Sequence, residues 1–321
     1  MRILFHSNHL GLLGTEVALF DYADHCQSIL GHEAAIVYDR TNAHNDPLVV
    51  EKFRQHFPVH SYVDYAEVEP LAEKLGCERI YFIKSGVPDG KVTRSIPSLV
   101  HAVYPIEIRD FHGSIFAFVS EWLSKTVTQG VTPYVPHMIN LPTHEKNLRN
   151  ALRIPERSLV IGSYGAHDAF DVPFAPAVIA AVMDRRSDIY FLFMNYPRAV
   201  VHERAIYLPR NPDRDFKVGF INTSDAMLHA RMYGETFGLA CGEFSSRNRP
   251  VITFAGSPLK SHLEILEERA LVYDNERRLF DILMTLDKDF IRAGSWDCYS
   301  ERFSPLAVMR KFREVFLDPV L

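Results

Sequence analysis

The chain has 321 residues, a length that suits two ordinary domains better than one small core. Hydrophobic residues make up 47% and charged residues 23%, which is typical of a globular protein and excludes a disordered or fibrous one. With 35 Lys and Arg against 40 Asp and Glu, the formal net charge of −5 argues against a nucleic-acid partner held by phosphate contacts.

Cysteine spacing and the first residues bear on the cellular compartment. Cys26, Cys77, Cys241 and Cys298 are far apart and form no Cys-x-x-Cys pair, so the sequence predicts neither a zinc ribbon nor a disulfide framework. No apolar run approaches the ~20 residues that span a bilayer. Residues 1–7 predict a first strand rather than a signal peptide. We therefore expect a cytoplasmic protein without a transmembrane segment.

In the first half, short apolar runs alternate with amphipathic stretches, the pattern of parallel β/α units. The predicted strands are 2–7, 34–39, 60–63, 79–84, 99–103, 115–120 and 134–139. The predicted helices are 16–30, 67–75 and 121–129. Ser120 is a suitable N-cap for the last of these helices. The pattern breaks at Pro142 and again at Pro155, and we place a domain junction in the polar stretch 144–150.

A second alternation of the same kind follows the junction. Its predicted strands are 158–163, 189–194, 205–208, 217–221, 226–229, 250–254 and 270–273. Its predicted helices are 174–185, 237–248, 261–269, 276–287 and a final one at 306–316. Two such domains predict an α/β protein of two Rossmann-like domains facing a cleft, with ligands at the carboxyl ends of both sheets.

The turn after the first strand is a candidate for ligand contact. Gly11 and Gly14 precede Glu16 and a helix, so the backbone and the helix amides there could approach an anion. The segment lacks the third glycine of G-x-G-x-x-G and has no Walker lysine. An ordinary strand-to-helix turn is the alternative interpretation.

A second segment is more informative. Glu235 lies in a loop, Phe237, Gly238 and Leu239 open a helix, and Glu243 follows Glu235 after seven intervening residues. Gly238 lets a ligand approach the backbone, and free amides at a helix start favour negative charge. Eight residues of helical rise span about 12 Å, so the two carboxylates could address opposite ends of an extended ligand. A helix with two solvated glutamates is the alternative.

This second segment resembles the E-x7-E region of GT-B retaining glycosyltransferases of the family-4 type. Other segments are similar to that family in the same order: the glycine loop 11–16, a histidine at position 101, the V-S-x-x-L segment within 118–123, and the domain opening at 154–165. The resemblance implies GT-B architecture, with an N-terminal acceptor-side domain at 1–150 and a nucleotide-sugar-binding domain at 151–305. A C-terminal helix within 306–321 would pack back on the N-terminal domain.

The resemblance also implies the activity. The chain would be a hexosyltransferase that moves a hexose from a nucleotide diphosphate sugar to an acceptor, with retention of configuration and without a metal or other cofactor. The acceptor would be a glycan, a lipid-linked molecule or a small molecule. No protein nucleophile is implied, because the leaving phosphate itself receives the acceptor proton on the same face of the sugar.

The family pattern assigns roles to individual positions. Glu235 would stabilise the positive charge that develops on the donor sugar, and Glu243 would accept hydrogen bonds from the ribose. Amides around residues 237–239 would hold the diphosphate. Gly14 would approach the diphosphate from the N-terminal domain, and His101 would face the transferred sugar.

The sequence departs from the family at the phosphate-binding loop. Shortly after the glycine that corresponds to Gly165, the family has an Arg and a Lys, whereas this chain has Asp168 and Asp171. A like-charge contact at 4 Å costs roughly 1 kcal/mol in water and about 4 kcal/mol at a partly shielded site.

Another cation would then have to bind the diphosphate. Arg198 is the first candidate, because it follows strand 189–194 and so lies at the carboxyl edge of the second sheet. Lys217 and Arg247 are the other candidates, with Arg247 at the far end of the helix that follows Glu235.

Two other functions are consistent with the same pattern. A non-catalytic nucleotide-sugar or glycan-binding protein would keep the fold and lose the phosphate-binding cations, as the acids in 166–171 indicate. A nicotinamide-dependent oxidoreductase would use Asp39, which ends the second strand, to bind a ribose. The missing third glycine argues against the oxidoreductase.

Three weaker signals remain in the sequence. His6 and His9 end the first strand and would line the acceptor site, with packing at the strand end as the alternative. Asp213 and Asp215 form a D-x-D pattern in a loop, where a metal-binding role is the less favoured interpretation. Residues 52–57 are a short basic and aromatic patch that would permit peripheral membrane contact, although a solvated helix face is favoured.

Overall fold

The computed structural model describes residues 1–11 and 14–318. Backbone contacts divide the chain into an N-terminal unit, Met1–Asn140 together with the segment that begins at Arg302, and a C-terminal unit, Leu141–Glu301. The division therefore comes slightly before the predicted junction at 144–150. Each unit contains a six-stranded sheet in which every pair of neighbouring strands is parallel.

The sheet of the N-terminal unit has the order β3-β2-β1-β4-β5-β6. Its strands are β1 Arg2–Ser7, β2 Glu33–Asp39, β3 Val59–Tyr62, β4 Arg79–Lys84, β5 Ser98–Ala102 and β6 Ile115–Phe118. The helices among them are α1 Gly14–Ser28, α2 Pro47–Arg54, α3 Val68–Lys74 and α4 Glu121–Thr128. Six of the seven strands predicted here and all three predicted helices are confirmed.

Local sequence explains where these helices begin. Ser120 is the N-cap of α4, and its hydroxyl accepts a hydrogen bond from the Leu123 amide at 3.2 Å. Asp46 caps α2 in the same way, and Pro47 follows at the first helical position, where a missing N–H costs nothing. This helix was not predicted from the sequence, where only residues 52–57 of the region stand out.

The predicted strand at 134–139 is wrong. Only Tyr134 pairs with the sheet, through an isolated bridge to Phe118. Pro133 and Pro136 flank that residue, and proline has no N–H to donate to a β ladder. The segment therefore crosses the edge of the sheet as irregular chain, and the Pro136 carbonyl instead accepts a hydrogen bond from the Tyr22 hydroxyl at 2.8 Å.

The last helix, α11 Pro305–Phe312, continues as a π-helical turn over Arg313–Leu317. It packs on the N-terminal unit through two phenylalanines. The Phe312 ring stacks on Tyr22 with 5.4 Å between ring centroids, and the Phe316 ring meets Tyr81 edge-on at 5.7 Å. Both phenylalanines are fully buried, so this segment completes the N-terminal core.

The sheet of the C-terminal unit has the order β14-β12-β10-β7-β8-β9, and β11 and β13 form a separate two-stranded sheet. The strands are β7 Leu159–Tyr164, β8 Ile189–Met194, β9 Ala205–Leu208, β10 Ala226–His229, β11 Gly234–Glu235, β12 Val251–Phe254, β13 Leu259–Lys260 and β14 Leu271–Tyr273. The helices are α5 Ala175–Met183, α6 Arg214–Thr223, α7 Leu239–Ser245, α8 Ser261–Leu266, α9 Glu276–Thr285 and α10 Lys288–Ala293.

The predicted strand at 217–221 is also wrong, because these residues lie in α6. Asp213 is the N-cap of this helix, and its carboxylate accepts a hydrogen bond from the Asp215 amide at 2.9 Å. Val218 and Ile221, three positions apart, are both fully buried, which is helical rather than strand spacing. The D-x-D pattern therefore serves as a helix cap.

Two features bear on the membrane question. None of the helices within residues 1–11 and 14–318 is both long and apolar enough to cross a bilayer. In the basic and aromatic patch at 52–57, Phe53 and Phe57 are 1% and 4% exposed and pack against Phe20 at 5.2 and 5.3 Å. Their rings are core residues and so cannot insert into a lipid surface.

Candidate functional site

The candidate site lies at the carboxyl edge of the C-terminal unit's sheet. β10 lies between β7 and β12, and all three strands run in the same direction, so Tyr164, His229 and Phe254 end neighbouring strands. The segments that leave this edge carry most of the residues the sequence analysis selected. Parallel α/β sheets bind ligands at this edge.

Two glycines shape the turn that carries Glu235. Gly234 has φ +76°, and a Cβ there would lie 2.1 Å from the Leu259 carbonyl oxygen. Gly238 has φ +88°, and a Cβ there would lie 2.9 Å from the Cβ of His262. Left-handed backbone and the lack of space both require glycine at these positions. Between them Glu235 pairs with Lys260 in the two-stranded sheet, which fixes its backbone.

The Glu235 carboxylate is held by two nitrogen donors on one oxygen. Arg231 Nη1 donates to Oε1 at 2.8 Å, and His229 Nε2 lies 3.2 Å from the same atom. Burial alone would raise the pKa of Glu235, but the hydrogen bonds and charges of His229 and Arg231 outweigh burial and lower the pKa to about 2. The side chain is 23% exposed, so an ionised carboxylate remains accessible to a ligand.

A buried polar chain continues behind Glu235. The Nδ1 atom of His229 lies 2.9 Å from the Thr253 hydroxyl, which lies 3.0 Å from Nε2 of His262. Thr253 and His262 are fully buried. These residues were not predicted from the sequence. The available signal was a histidine at the end of the predicted strand 226–229, but its neighbour in β12 becomes known only from the strand order.

Glu243, the second carboxylate, is buried in α7 and uses both oxygens. The Tyr164 hydroxyl donates to Oε2, and Lys217 Nζ donates to Oε1 at 2.8 Å. Burial, followed by the negative charge of Glu243, raises the pKa of Tyr164, so this tyrosine remains a donor. Lys217 contacts Glu243 from helix α6, not from the strand that was predicted at 217–221.

Residues 237–239, which were predicted to bind the diphosphate, lie at the start of α7. Gly238 is the N-cap of this helix and Leu239 its first residue. The Phe237 side chain is buried, and its carbonyl accepts a hydrogen bond from the Tyr299 hydroxyl at 3.2 Å. Phe237 therefore anchors the turn, and Leu239 is half-buried at its edge.

The three cations proposed from the sequence have different surroundings. Lys217 is paired with Glu243, and Arg247 donates to the Pro142 carbonyl and lies 3.6 Å from Glu145. The Arg198 guanidinium is exposed and lies over the Tyr207 ring, 5.8 Å from its centroid. None of the three is seen to contact Glu235.

Arg231 was missed by the sequence analysis. It follows β10 and pairs with Glu235 four residues later, with its side chain 25% exposed. The short spacing of Arg231 and Glu235 was visible in the sequence. A loop after the predicted strand 226–229 does not, however, reveal that the two side chains contact each other.

The acidic loop after Gly165 packs against the same strand end. The Asp171 carboxylate accepts a hydrogen bond from the Met232 amide at 2.7 Å, and the Asp171 amide donates to the Ala230 carbonyl at 2.9 Å. Asp168 is exposed. A Cβ at Gly165 would lie 2.6 Å from the Tyr196 hydroxyl, so a side chain there would displace Tyr196. Asp171 therefore holds the backbone next to Arg231.

His101 does not have the accessible position predicted for it. It is fully buried in the N-terminal unit, with Nδ1 at 2.7 Å from the Tyr81 hydroxyl and Nε2 at 2.8 Å from the Val135 carbonyl. Burial lowers its pKa to about 4, so the ring is neutral. Both nitrogens are occupied by the protein, and His101 is a core residue rather than one that faces a sugar.

The two histidines predicted for the acceptor site differ from each other. His6 is buried, lies 2.8 Å from the Tyr62 hydroxyl, and has its pKa lowered to about 3 by burial and then by nearby lysines. The alternative of strand-end packing therefore fits His6. His9 is half-buried, and its Nε2 lies 3.6 Å from a carboxylate oxygen of Glu16.

The glycine loop is only partly described. Gly11 precedes the undescribed residues 12 and 13, and Gly14 is the first residue of α1. A Cβ at Gly11 would lie 2.9 Å from the His44 carbonyl oxygen, so the turn allows no side chain there. Asp39, the ribose-binding acid of the oxidoreductase alternative, instead accepts hydrogen bonds from the amide and hydroxyl of Thr41 at 2.9 and 2.6 Å.

Neither a protein-family model nor a curated protein matches the sequence. Solved structures are similar over the whole chain. The Anabaena protein HepE in complex with UDP-glucose has a TM-score of 0.74 at 15% identity, covering 99% of this chain and 100% of that one. A glycosyltransferase from Rickettsia africae has a TM-score of 0.70 at 13% identity, covering 99% of both chains.

A third solved structure is also similar over the whole chain. Sucrose-phosphate synthase from Thermosynechococcus elongatus has a TM-score of 0.66 at 14% identity, covering 99% of this chain and 100% of that one. With two parallel six-stranded sheets that match these proteins, the chain has the GT-B fold of glycosyltransferases. The predicted fold class is confirmed.

Proposed function

We propose that this chain is a glycosyltransferase that moves a hexose from a nucleotide diphosphate sugar to an acceptor, with retention of configuration and without a metal. The observation that carries the proposal is the pair of carboxylates around α7, Glu235 and Glu243, at the ligand-binding edge of the sheet. The GT-B fold and the UDP and UDP-glucose complexes of HepE support a nucleotide sugar as donor.

The two carboxylates have surroundings that suit different tasks. Glu235 is ionised and partly exposed, so it can stabilise positive charge that appears on the sugar as the glycosidic bond breaks. Glu243 is buried against Tyr164 and Lys217, a rigid arrangement suited to accepting hydrogen bonds from ribose hydroxyls. The turn at Gly238 brings backbone between them, where the diphosphate would lie.

Arg231 is the cation we propose for the diphosphate. It is partly exposed, lies beside Glu235, and leaves the same strand end that the Asp171 loop supports. A guanidinium presents a planar fork of donors that suits phosphate oxygens. Arg198, exposed over Tyr207, is the second candidate.

A ligand screen followed by product analysis tests the proposal. Thermal unfolding is measured with UDP, GDP, ADP and their sugars, because a ligand at 100 times its Kd stabilises a protein by about 2.7 kcal/mol. We expect one nucleotide series to raise the Tm. The anomeric configuration of the product, from transfer to a sugar or to water, is then read by NMR. If no nucleotide shifts the Tm, the proposal of a nucleotide sugar donor is wrong. A product with inverted configuration would contradict the proposed retention.

A non-catalytic nucleotide-sugar or glycan-binding protein is the second candidate. Asp168 and Asp171 favour it, because the loop that carries them has no cation for a phosphate. Such a protein would show the Tm shift but neither transfer to any acceptor nor hydrolysis of any donor. The acceptor in the first candidate is a glycan, a lipid-linked molecule or a small molecule, and a cytoplasmic location is proposed for either.

A further inference from the structure

We propose that three buried residues, His229, Thr253 and His262, form a directed hydrogen-bond chain that positions the Glu235 carboxylate with its oxygen Oε2 facing the donor sugar. We call these three residues the histidine chain. They would be positioning residues, since Glu235 touches the substrate and none of the three does. The assignment of Oε2 to the sugar rests on the proposed function, whereas the hydrogen-bond order of the chain does not.

The distances define a continuous path from the core to the carboxylate. The separations are 3.0 Å from His262 Nε2 to Thr253 Oγ1, 2.9 Å from Thr253 Oγ1 to His229 Nδ1, and 3.2 Å from His229 Nε2 to Glu235 Oε1. His229 and Thr253 are paired residues of the neighbouring parallel strands β10 and β12. Two of the three residues are therefore built into the sheet, and His262 lies in α8.

The carboxylate determines the direction of the first hydrogen bond in the histidine chain. An ionised Glu235 only accepts, so His229 must donate to it from Nε2. In the order we assign, Nδ1 of His229 accepts from the Thr253 hydroxyl. The oxygen of that hydroxyl in turn accepts from Nε2 of His262. This order makes both histidines Nε2–H tautomers.

At its buried end, His262, the histidine chain carries a free-energy cost that packing alone does not explain. Among the residues that the structure describes, none makes a hydrogen bond with Nδ1 of His262, and that atom is buried. A buried polar atom without a partner is unfavourable, and an apolar side chain of similar size would avoid the penalty. A role in orienting Glu235 gives a reason for a histidine at this position.

The arrangement leaves one carboxylate oxygen available. Arg231 and His229 both contact Oε1, and no donor to Oε2 is found within residues 1–11 and 14–318. Two donors on one oxygen fix the rotation of the carboxylate group. Loss of the His229 contact would leave Arg231 alone, and the carboxylate could then turn about a single hydrogen bond.

Substitution of Thr253 tests the chain with little change in shape. Thr253→Val removes the hydroxyl and suits a β-strand, whereas Thr253→Ser keeps the hydroxyl. We expect Thr253→Val to lower kcat for sugar transfer at least tenfold and to leave the Kd of the nucleoside diphosphate within twofold. Thr253→Ser should retain more than half of the activity. Thr223→Val, which removes another fully buried hydroxyl of the same unit, is the matched control.

Histidine tautomers give a readout that does not depend on activity. Nitrogen-15 NMR of the imidazoles should show His229 and His262 as Nε2–H tautomers in the wild-type protein. Thr253→Val should shift the resonances of both rings, and Thr223→Val should leave them unchanged. An Nδ1–H tautomer at His229, or rings unaffected by Thr253→Val, would overturn the chain.

The two readouts separate the possible failures. Wild-type protein with the expected tautomers but no nucleotide binding or transfer would overturn the proposed function while supporting the hydrogen-bond order. Active enzyme in which Thr253→Val changes the tautomers but keeps full kcat would overturn the positioning role. A fall in kcat matched by an equal loss of nucleotide affinity would make Thr253 a structural residue.

Discussion

The Glu235 carboxylate contacts Arg231 and His229 through one oxygen, whereas Glu243 uses one oxygen for Tyr164 and the other for Lys217. The first arrangement leaves an atom for a ligand. In the second, a ligand hydroxyl must share an oxygen that is already bonded, which carbonyl-type oxygens with two lone pairs allow. Neutralising either carboxylate should therefore give a different kinetic result.

Glu243→Gln should weaken nucleoside diphosphate binding roughly 10- to 100-fold, because a charge-assisted hydrogen bond contributes about 1.5 to 3 kcal/mol. Glutamine keeps the size of the side chain, so no cavity is opened beside Lys217. Isothermal titration calorimetry with the nucleoside diphosphate alone measures the change. Equal affinity in the variant and the wild type would remove Glu243 from the ribose site.

Glu235→Gln should lower kcat at least 100-fold and change nucleoside diphosphate affinity less than threefold, because the carboxylate acts on charge that appears only in the transition state. Since the pKa of Glu235 is about 2, the wild-type carboxylate stays ionised down to pH 4. Any loss of kcat between pH 7 and 5 should thus come from other groups. Equal effects of the substitution on kcat and on binding would make Glu235 a simple binding residue.

Arg231→Gln should weaken diphosphate binding at least tenfold, which corresponds to about 1.4 kcal/mol. Arg198→Gln is the matched comparison, since Arg198 is exposed and stacked on Tyr207, and we expect it to have less than a threefold effect. Titrations of both variants with nucleoside diphosphate and with nucleoside isolate the phosphate contribution. A larger effect at Arg198 would indicate that the diphosphate binds near the end of β8 and not beside Arg231.

At the level of secondary structure, the turn at Gly234 should tolerate no side chain. Gly234→Ala would combine a left-handed backbone, costing roughly 1–2 kcal/mol for a residue with a Cβ, with a contact of 2.1 Å to the Leu259 carbonyl. Gly90 has a similar φ of +74° and no atom within 4 Å of a built Cβ, so Gly90→Ala isolates the backbone cost.

Urea unfolding of the two glycine variants measures the difference. We expect Gly90→Ala to lose about 1–2 kcal/mol and Gly234→Ala to lose a further 1–3 kcal/mol, the usual cost of overpacking. Equal losses would mean that the backbone around Leu259 relaxes freely.

Sequence patterns predicted most elements because the parallel strands are nearly continuous apolar runs. The two wrong strands have local causes. Prolines prevent the segment 134–139 from forming the hydrogen bonds of a β ladder. At 217–221, the Asp213 N-cap starts helix α6, which contains the apolar run. The pairing of His229 with Thr253 joins residues far apart in the chain, so no local pattern could reveal it.

The candidate site was predicted only where its residues are close in sequence. Glu235, Gly238 and Glu243 form one segment, and the structure gives each a defined environment. His101 was selected for its place at the end of a strand, but burial depends on which helices cover the sheet. Here the C-terminal segment supplies Phe316, whose ring lies 5.4 Å from His101.

Across the whole molecule, neutral buried histidines should make the fold sensitive to acid. Burial lowers the pKa of His6, His137 and His262 to about 3 and that of His101 to about 4. The unfolded chain binds these protons near pH 6.5 and the native state does not. Stability is therefore fully present above pH 6.5 and falls as the pH drops toward the folded values, by up to about 1.4 kcal/mol per histidine and pH unit.

Urea unfolding at pH 7.5 and 5.5 tests this expectation. The midpoint should be clearly lower at pH 5.5, and His101→Gln, which keeps hydrogen-bonding capacity without titrating, should show a shallower dependence. The same midpoint at both pH values in the wild type would mean that these histidines are protonated in the native state or exposed by local opening.

The last turns of the chain also set an order of events during synthesis. Phe312 and Phe316 cover Tyr22, Tyr81 and His101, so the N-terminal core is incomplete until translation has passed residue 316. All of Leu141–Glu301 emerges earlier and holds its full set of strands. Domains usually fold in the order of synthesis. In this chain the unit that starts first finishes last, and a nascent chain stalled before Arg302 would expose an aromatic surface to chaperones.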